Sequence, residues 1–567
     1  MPEDKRPKLA DFGDLSIAEQ KIVDEIHIGD FVSVDTGERP DARTDDNHVR
    51  AELIRFLALG GGDDLFVHEK GVCIGGAWID GVLDLDGCRL SSDLCLHGCH
   101  FVAAPDLLGA RCTSLSFNGS DLPGLQAGRL RTEGSLHIRD AEIEGECHLN
   151  SARIGGNLEL DGAELRNPEG MALAGSGLTV RDALFLRHAE IEGECHLNGA
   201  RIGGTLELVG TKLRNPEGMA VAGSGLTVGD DIFLRNSEIE GECFLIGARI
   251  GGNLEFLGSE LRNPNGRALF GDSMQVEGNM FLRAGASIHG VADLTGARIG
   301  HIADEMSCWP EEVCLNRCRY GAFTGKDIDA RSRLDWLELQ QPEKYGREFW
   351  PQPYEHLAKV FREMGHKEDA RDVLVEKERL QRAVRRRNLG WPECRWFGFW
   401  DRVLSCTIAY GVRPMRAIYW LALFFLVGWG VFYAASLHDQ IKPNNAFIIR
   451  SAEWVACEHP LNVEYLDAKL AAGRPQYGRA SAGESQVDCF LRQAEGRSYP
   501  GFNAFIYSAD TLLPVVSLEM QEYWLPDEAA GNIGHAARIY LWIHIAVGWA
   551  LSLLAVAGFS GLVRSSD

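Results

Sequence analysis

The side chains best suited to chemistry lie in one apolar stretch near the C-terminus, "FNAFIYSADTLLPVVSLEM" (502–520). It carries Asp510, Thr511, Pro514, Ser517 and Glu519 in a run apolar enough to enter a bilayer, while its roughly 14 apolar residues are too few to cross one. Ionisable groups at membrane depth are costly in lipid and are tolerated where protein or a water-filled cavity satisfies them. A helix over 502–513, broken at Pro514 and returning through "VVSLEMQEYWLP", therefore predicts a segment that enters and leaves on one side, sheltered among several copies. Rings of Asp510 and Glu519 carboxylates in such a homo-oligomer would attract cations. In the other reading the segment folds inside an external lobe without a pore, with Asp510 a helix-breaking or capping residue. His544 either faces the same opening or bonds across helices.

Two elements must position this segment. "AIYWLALFFLVGWGVFYAA" (417–435) and "IYLWIHIAVGWALSLLAVAGFSGLV" (539–563) contain no Asp, Glu, Lys or Arg, and about 20 apolar residues span the hydrocarbon core. They predict a multi-pass membrane protein. Arg379, Arg382, Arg385, Arg386, Arg387, Arg395, Arg402, Arg413 and Arg416 precede the first span and Arg564 follows the second. Basic flanks stay cytoplasmic, so both the N-terminal part and the C-terminus are expected inside a bacterial inner membrane. No secretory signal is read in "MPEDKRPKLADFGDLS". The connection after the first span then lies outside, where Cys457 and Cys489 are either a disulfide or two free thiols. Before the first span, "WPECRWFGFWDRVLSCTIAYGVRPMR" (391–416) reads as an interfacial helix on membrane lipid, anchored by Trp391, Trp396, Trp400, Arg413 and Arg416. Tyr523 and Trp524 are expected to anchor the returning segment at the opposite interface.

The remaining sequence is a repeat. "AEIEGECHLNSARIGGNLELDGAELRNPEGMALAGSGLTVRDALFLRH" (141–188) returns almost unchanged from Ala189 and again from Ser237. Within it, apolar residues alternate at two and then break at Gly or Asn, the pattern of very short strands and corners rather than of a helix. Such units coil into a parallel β-helix in which each coil pairs its backbone with the coils on either side.

Other candidate chemistry in the repeat is weak. Glu142, Glu144, Glu190, Glu192, Glu238 and Glu240 form an acidic stripe, with equivalent carboxylates ~9.6 Å apart if each long repeat makes two coils. It either collects cations or a basic protein partner or is a solvated charged surface, with Arg153, Arg201 and Arg249 recurring beside it. Cys147–His148 and Cys195–His196 look like metal ligands until the third copy reads Cys243–Phe244, and alternation turns the thiols inward. No metal site, cofactor or enzymatic motif is read. The formal net charge of −24 argues against a nucleic-acid partner.

"AELRN", "AEIEG" and "ARIGG" resemble the units of pentapeptide-repeat proteins, which implies a right-handed parallel β-helix over about 72–302, modified by the inserted "NPEGMALAGSG". The order of span, short helix, return and span over 400–563 resembles the pore module of two-span ion channels, without the TVGYG potassium filter. "PYEHLAKVFREMGHKEDARDVLVEKERLQRAVRRR" (353–387) resembles one tetratricopeptide hairpin turning at Gly365. The fold class expected is thus mainly β in the soluble part, followed by an α-helical hairpin and an α-helical membrane module. The expected order is a helical cap (1–68), β-helix (69–305), exit and basic hairpin (306–390), interfacial helix (391–416), span (417–435), external loop domain (436–499), re-entrant segment (500–526), linker (527–538) and span (539–563). The function expected is a cation pore controlled or localised by the β-helix, or else a membrane-tethered scaffold without a pore.

Overall fold

The computed structural model describes residues 8–62, 65–458, 480–481, 483–494 and 496–559. It divides into two compact units, Met1–Val373 and Leu374–Asp567.

The first unit is a parallel β-solenoid of about 12 turns. Each coil contributes two short strands to each of two sheets. Glu142–Glu144 and Cys147–His148 belong to one sheet; Arg153–Ile154 and Leu158–Glu159 belong to the other. Inward side chains fill the interior: Ile143, Cys147, Leu149, Ile154, Leu158 and Leu165 are all buried. Burying a side chain of this size is worth about 1.5–3 kcal/mol, and stacking equivalent residues at ~4.8 Å keeps the interior continuous. Corners need a left-handed residue, supplied by Asp140 (φ 52°) and Ser151 (φ 59°) in one coil and by Gly162 (φ 66°) at the start of the next. Asp and Gly tolerate that conformation, which explains the breaks in the alternation.

The long repeat is two unequal coils. Glu142 pairs with Glu164, one short coil on, and Glu164 pairs with Glu190 across a longer one. The longer coil absorbs its extra residues as a bulge in strand Glu164–Ala174, closed by the Asn167 side chain donating to the Met171 carbonyl at 2.9 Å. Asn215 and Asn263 repeat this at 3.0 and 2.8 Å.

The sheets run past both ends of the expected 69–305 span. Val32–Ser33 pairs with Ile74–Gly75 and His48–Arg50 with Trp78–Asp80, while Arg319–Phe323 pairs with Arg298–Ile302 at the other end. Helices α1 (Ile17–Glu25) and α2 (Ala51–Ala58) cover the front. The capping box is formed, with Ser16 Oγ accepting from Glu19 N and Glu19 Oε2 from Ser16 N. The same Glu19 pairs with Arg50 at 2.6 Å, tying α1 to the first coil. At the back, α3 (Ala330–Glu338) sends Arg333 into the solenoid end, and α4 (Pro351–Glu363) turns at Gly365 (φ 90°) into α5 (Lys367–Arg387).

The second unit is helical. α6 (Trp391–Ile408) leads through Ala409 and Tyr410, both left-handed, into α7 (Met415–Leu437). Asp401 of α6 accepts from Arg382 and Arg386 of α5, each at 3.1 Å. A short helix, α8 (Ala504–Leu512), precedes α9 (Asn532–Phe559). α7 and α9 are long and apolar enough to cross a membrane, and both leave large apolar side chains exposed, among them Leu426, Tyr433, Trp542 and Leu553. Residues 1–7 of the expected cap, 459–479 of the expected external loop domain, 560–563 of the expected second span and Arg564 beyond it lie outside the described residues.

Candidate functional site

Segment 502–520 is built onto α7 and α9 through glycine. Asn503 caps α8, its Oδ1 accepting from Phe505 N at 3.0 Å and Ile506 N at 3.2 Å. One turn on, Ser508 Oγ donates to the Phe425 carbonyl at 2.9 Å, and His544 Nε2 lies 3.2 Å from the Ser508 carbonyl. A Cβ on Gly428 would lie 2.5 Å from both Ser508 Oγ and the His544 ring, and one on Gly548 would collide with the Leu512 carbonyl. Both approaches require glycine. At 1.5 Å rise per residue, Gly428 is ~13 Å along α7 from Leu437 and Gly548 is ~24 Å along α9 from Asn532. The C-terminal end of α8 is therefore well inside the span of the two long helices.

Asp510 organises the turn after α8. Its Oδ1 accepts from Leu518 N at 2.6 Å and its Oδ2 from Gln521 N at 2.7 Å, which draws 513–519 into that turn. Glu519 has a left-handed backbone (φ 60°) at its end. The turn presents Val515 (90% exposed), Val516, Ser517, Leu518 and Glu519 outward, with Pro514 half-buried. The chain then returns through Trp524–Pro526, paired antiparallel with Ile441–Pro443, and Lys442 binds Asp527 at 2.7 Å.

Thr511 does not face an open surface: its Oγ1 donates to the Tyr507 carbonyl at 2.7 Å. His544 takes the second of its two expected roles, enclosed by Ser508, Tyr540 and Phe432. Both are helix-packing groups, because a hydroxyl or imidazole between apolar helices must find a local partner. Trp524 is no interfacial anchor; it is 0% exposed, donates from Nε1 to the Pro500 carbonyl at 2.8 Å, and stacks edge-on with Tyr499 and Phe502. Tyr523 is half-buried against Tyr499. By contrast Trp391, Trp396 and Trp400 are exposed on α6, and Arg416 is exposed near the start of α7 with Arg413 half-buried. Cys457 and Cys489 are joined by a disulfide, Cα–Cα 5.7 Å.

In the solenoid the acidic stripe is interrupted. Glu144, Arg166, Glu192, Arg214, Glu240 and Arg262 occupy consecutive rungs of one ladder. Arg214 lies 3.8 Å from Glu192 and 3.9 Å from Glu240, Lys212 binds Glu190 at 2.5 Å, Arg262 binds Glu260 at 2.7 Å, and Arg39 binds Glu142 at 2.7 Å. Arg153, Arg201 and Arg249 are not beside this stripe; they belong to the other sheet. Cys147, Cys195 and Cys243 are buried in the core, and burial pushes each thiol up to about 12. They are packed, un-ionised groups. Among the described residues no three His, Cys, Asp or Glu side chains are gathered as a metal site.

The roles of Gly428, Gly548 and Ser508 escaped the sequence reading, although small residues within an apolar span are a known signal of close helix packing. Fold and site together define a parallel β-solenoid joined to a helical unit with two candidate membrane spans and a short helix packed between them. No protein-family model, curated protein or solved structure matched the chain.

Proposed function

We propose that the protein is an oligomeric membrane protein in which the turn after α8, repeated around a symmetry axis, borders a cation path, with the solenoid on the cytoplasmic side controlling or localising it. The observation carrying this reading is the turn 513–519. It sits at the inner end of a short helix wedged between two candidate spans, and it exposes Val515 and Val516 beside Ser517 and Glu519 in a single copy. Exposed backbone at that depth needs either protein or water around it. Neighbouring copies would cover the apolar side chains and leave the polar ones facing a shared opening. Glu519 is the carboxylate free to face ions, since both oxygens of Asp510 already accept backbone N–H groups.

The test is cation flux through liposomes containing the purified full chain. The reading requires flux selective for cations over anions, with selectivity reduced by Glu519→Gln. Asp510→Asn is a poor probe because it unties the turn. Inserted, oligomeric protein that passes no ions would refute the pore. The surviving reading would then be a membrane-tethered interaction protein.

A further inference from the structure

One ladder of the solenoid carries a charge pattern unlike any other. Arg89, Arg111, Arg131, Arg153, Thr179, Arg201, Thr227, Arg249, Gln275, Arg298 and Arg319 occupy eleven consecutive rungs of the second sheet. Each of the eight arginines is exposed. None forms an ion pair or hydrogen bond through its guanidinium among the described residues. The contrast is with the other faces, where Arg139, Arg166, Arg187, Arg214, Arg235 and Arg262 all hold carboxylates. In a chain of net charge −24, these eight guanidinium groups hold no carboxylate.

The strip is also sterically open. Gly155, Gly203, Gly251 and Gly300 lie two residues after Arg153, Arg201, Arg249 and Arg298, so little side-chain bulk rises beside these four, while Glu133, Arg181 and Glu277 stand at the same place beside Arg131, Thr179 and Gln275. Exposed carboxylates near it are Glu133, Asp182, Asp230 and Glu277, and they leave the arginines unpaired. Ten steps of ~4.8 Å give a row of about 48 Å, with alternate rungs ~9.6 Å apart.

We propose that this row docks an extended acidic protein segment. Charge complementarity requires a polyanion, and the spacing suits a polypeptide. Three residues of polyproline-II chain advance ~9.3 Å, so a carboxylate at every third position meets alternate rungs. Single-stranded nucleic acid is the less suitable occupant, because no aromatic side chain stands on the rungs for bases to stack on. The proposal is independent of whether the helical unit conducts.

The test uses the full chain in neutral detergent and a fluorescent poly-glutamate probe, read by anisotropy. Binding is expected and should weaken steeply from ~50 to ~200 mM salt, as multiple charge contacts do. Replacing Arg131, Arg153, Arg201 and Arg249 together by Gln should lower affinity roughly tenfold or more, while Arg166→Gln with Arg214→Gln leaves it unchanged. Should the fourfold variant fail to fold, the pairs Arg131/Arg153 and Arg201/Arg249 are changed separately. No binding of poly-glutamate, equal binding by the variants, or tighter binding of a single-stranded oligonucleotide through the same arginines would overturn the proposal.

Discussion

Replacing Asp304 by Asn removes a charge from the most completely buried ion pair among the described residues. Asp304 ends the strand Arg298–Asp304 and accepts from both terminal nitrogens of Arg333, each at 2.7 Å, and from Trp309 Nε1 at 2.6 Å. Both charged side chains are 0% exposed, and the guanidinium lies 3.8 Å from the Phe323 ring centroid. The substitution therefore leaves a cation without a counter-charge in an apolar enclosure. Breaking a buried pair in this way costs about 3–5 kcal/mol. Solenoid coils open locally rather than all at once, so the assay is hydrogen exchange of the amides in Arg319–Phe323 and α3. At ~1.4 kcal/mol per tenfold, those amides should exchange about two to nearly four orders of magnitude faster, with the central coils unchanged. Asp304→Leu combined with Arg333→Met removes both charges and should recover most of the loss, leaving ~1 kcal/mol for the Trp309 donor that has lost its acceptor. Less than tenfold acceleration in the single variant, or a double variant worse than the single, would refute the reasoning.

Further outcomes are open to measurement. Gly428→Val drives a branched side chain into Ser508 and His544, so the helical unit should lose roughly 1–3 kcal/mol by thermal unfolding in detergent and any ion flux should fall with it. His356 Nε2 accepts from Tyr320 N at 2.8 Å, and burial depresses its imidazole below the ordinary range. Its contribution is therefore complete above ~6.5, the unfolded value, and is lost as pH falls through the lower folded value. Protection of the α4 amides, taken relative to the intrinsic exchange rate at each pH, should fall on going from neutral to mildly acidic pH, and this dependence should be absent in His356→Gln. Reducing Cys457–Cys489 should lower stability of the helical unit by about 2–4 kcal/mol, visible as a reductant-dependent melting shift that Cys457→Ser with Cys489→Ser no longer shows.

The solenoid was legible because its information is local: an inward Leu and an outward Arg two residues apart differ in burial, and Gly, Asn or Asp marks each left-handed corner. Relations across the coils were not legible. The sequence separation of neighbouring rungs alternates according to whether an Asn-closed bulge intervenes, so Arg153, Arg201 and Arg249 read as neighbours of the glutamates when they lie on the other sheet. The arginine row appears only once the register is known. In the helical unit, apolar length announced α7 and α9, and Pro514 announced the end of α8. Nothing local said that the carboxylate oxygens of Asp510 bind amides eight and eleven residues later, or that a lipid-suited residue such as Trp524 is claimed by Tyr499, Phe502 and Pro500.

The proposed ion path is tested most directly at Ser517, which the turn leaves exposed without a helix-packing role. Ser517→Cys protein in liposomes, treated with a membrane-impermeant cationic thiol reagent while cation flux is recorded, should react and lose its flux, with the wild type unaffected. Modification that leaves the flux intact, or a flux that continues because the thiol never reacts, would contradict the reading.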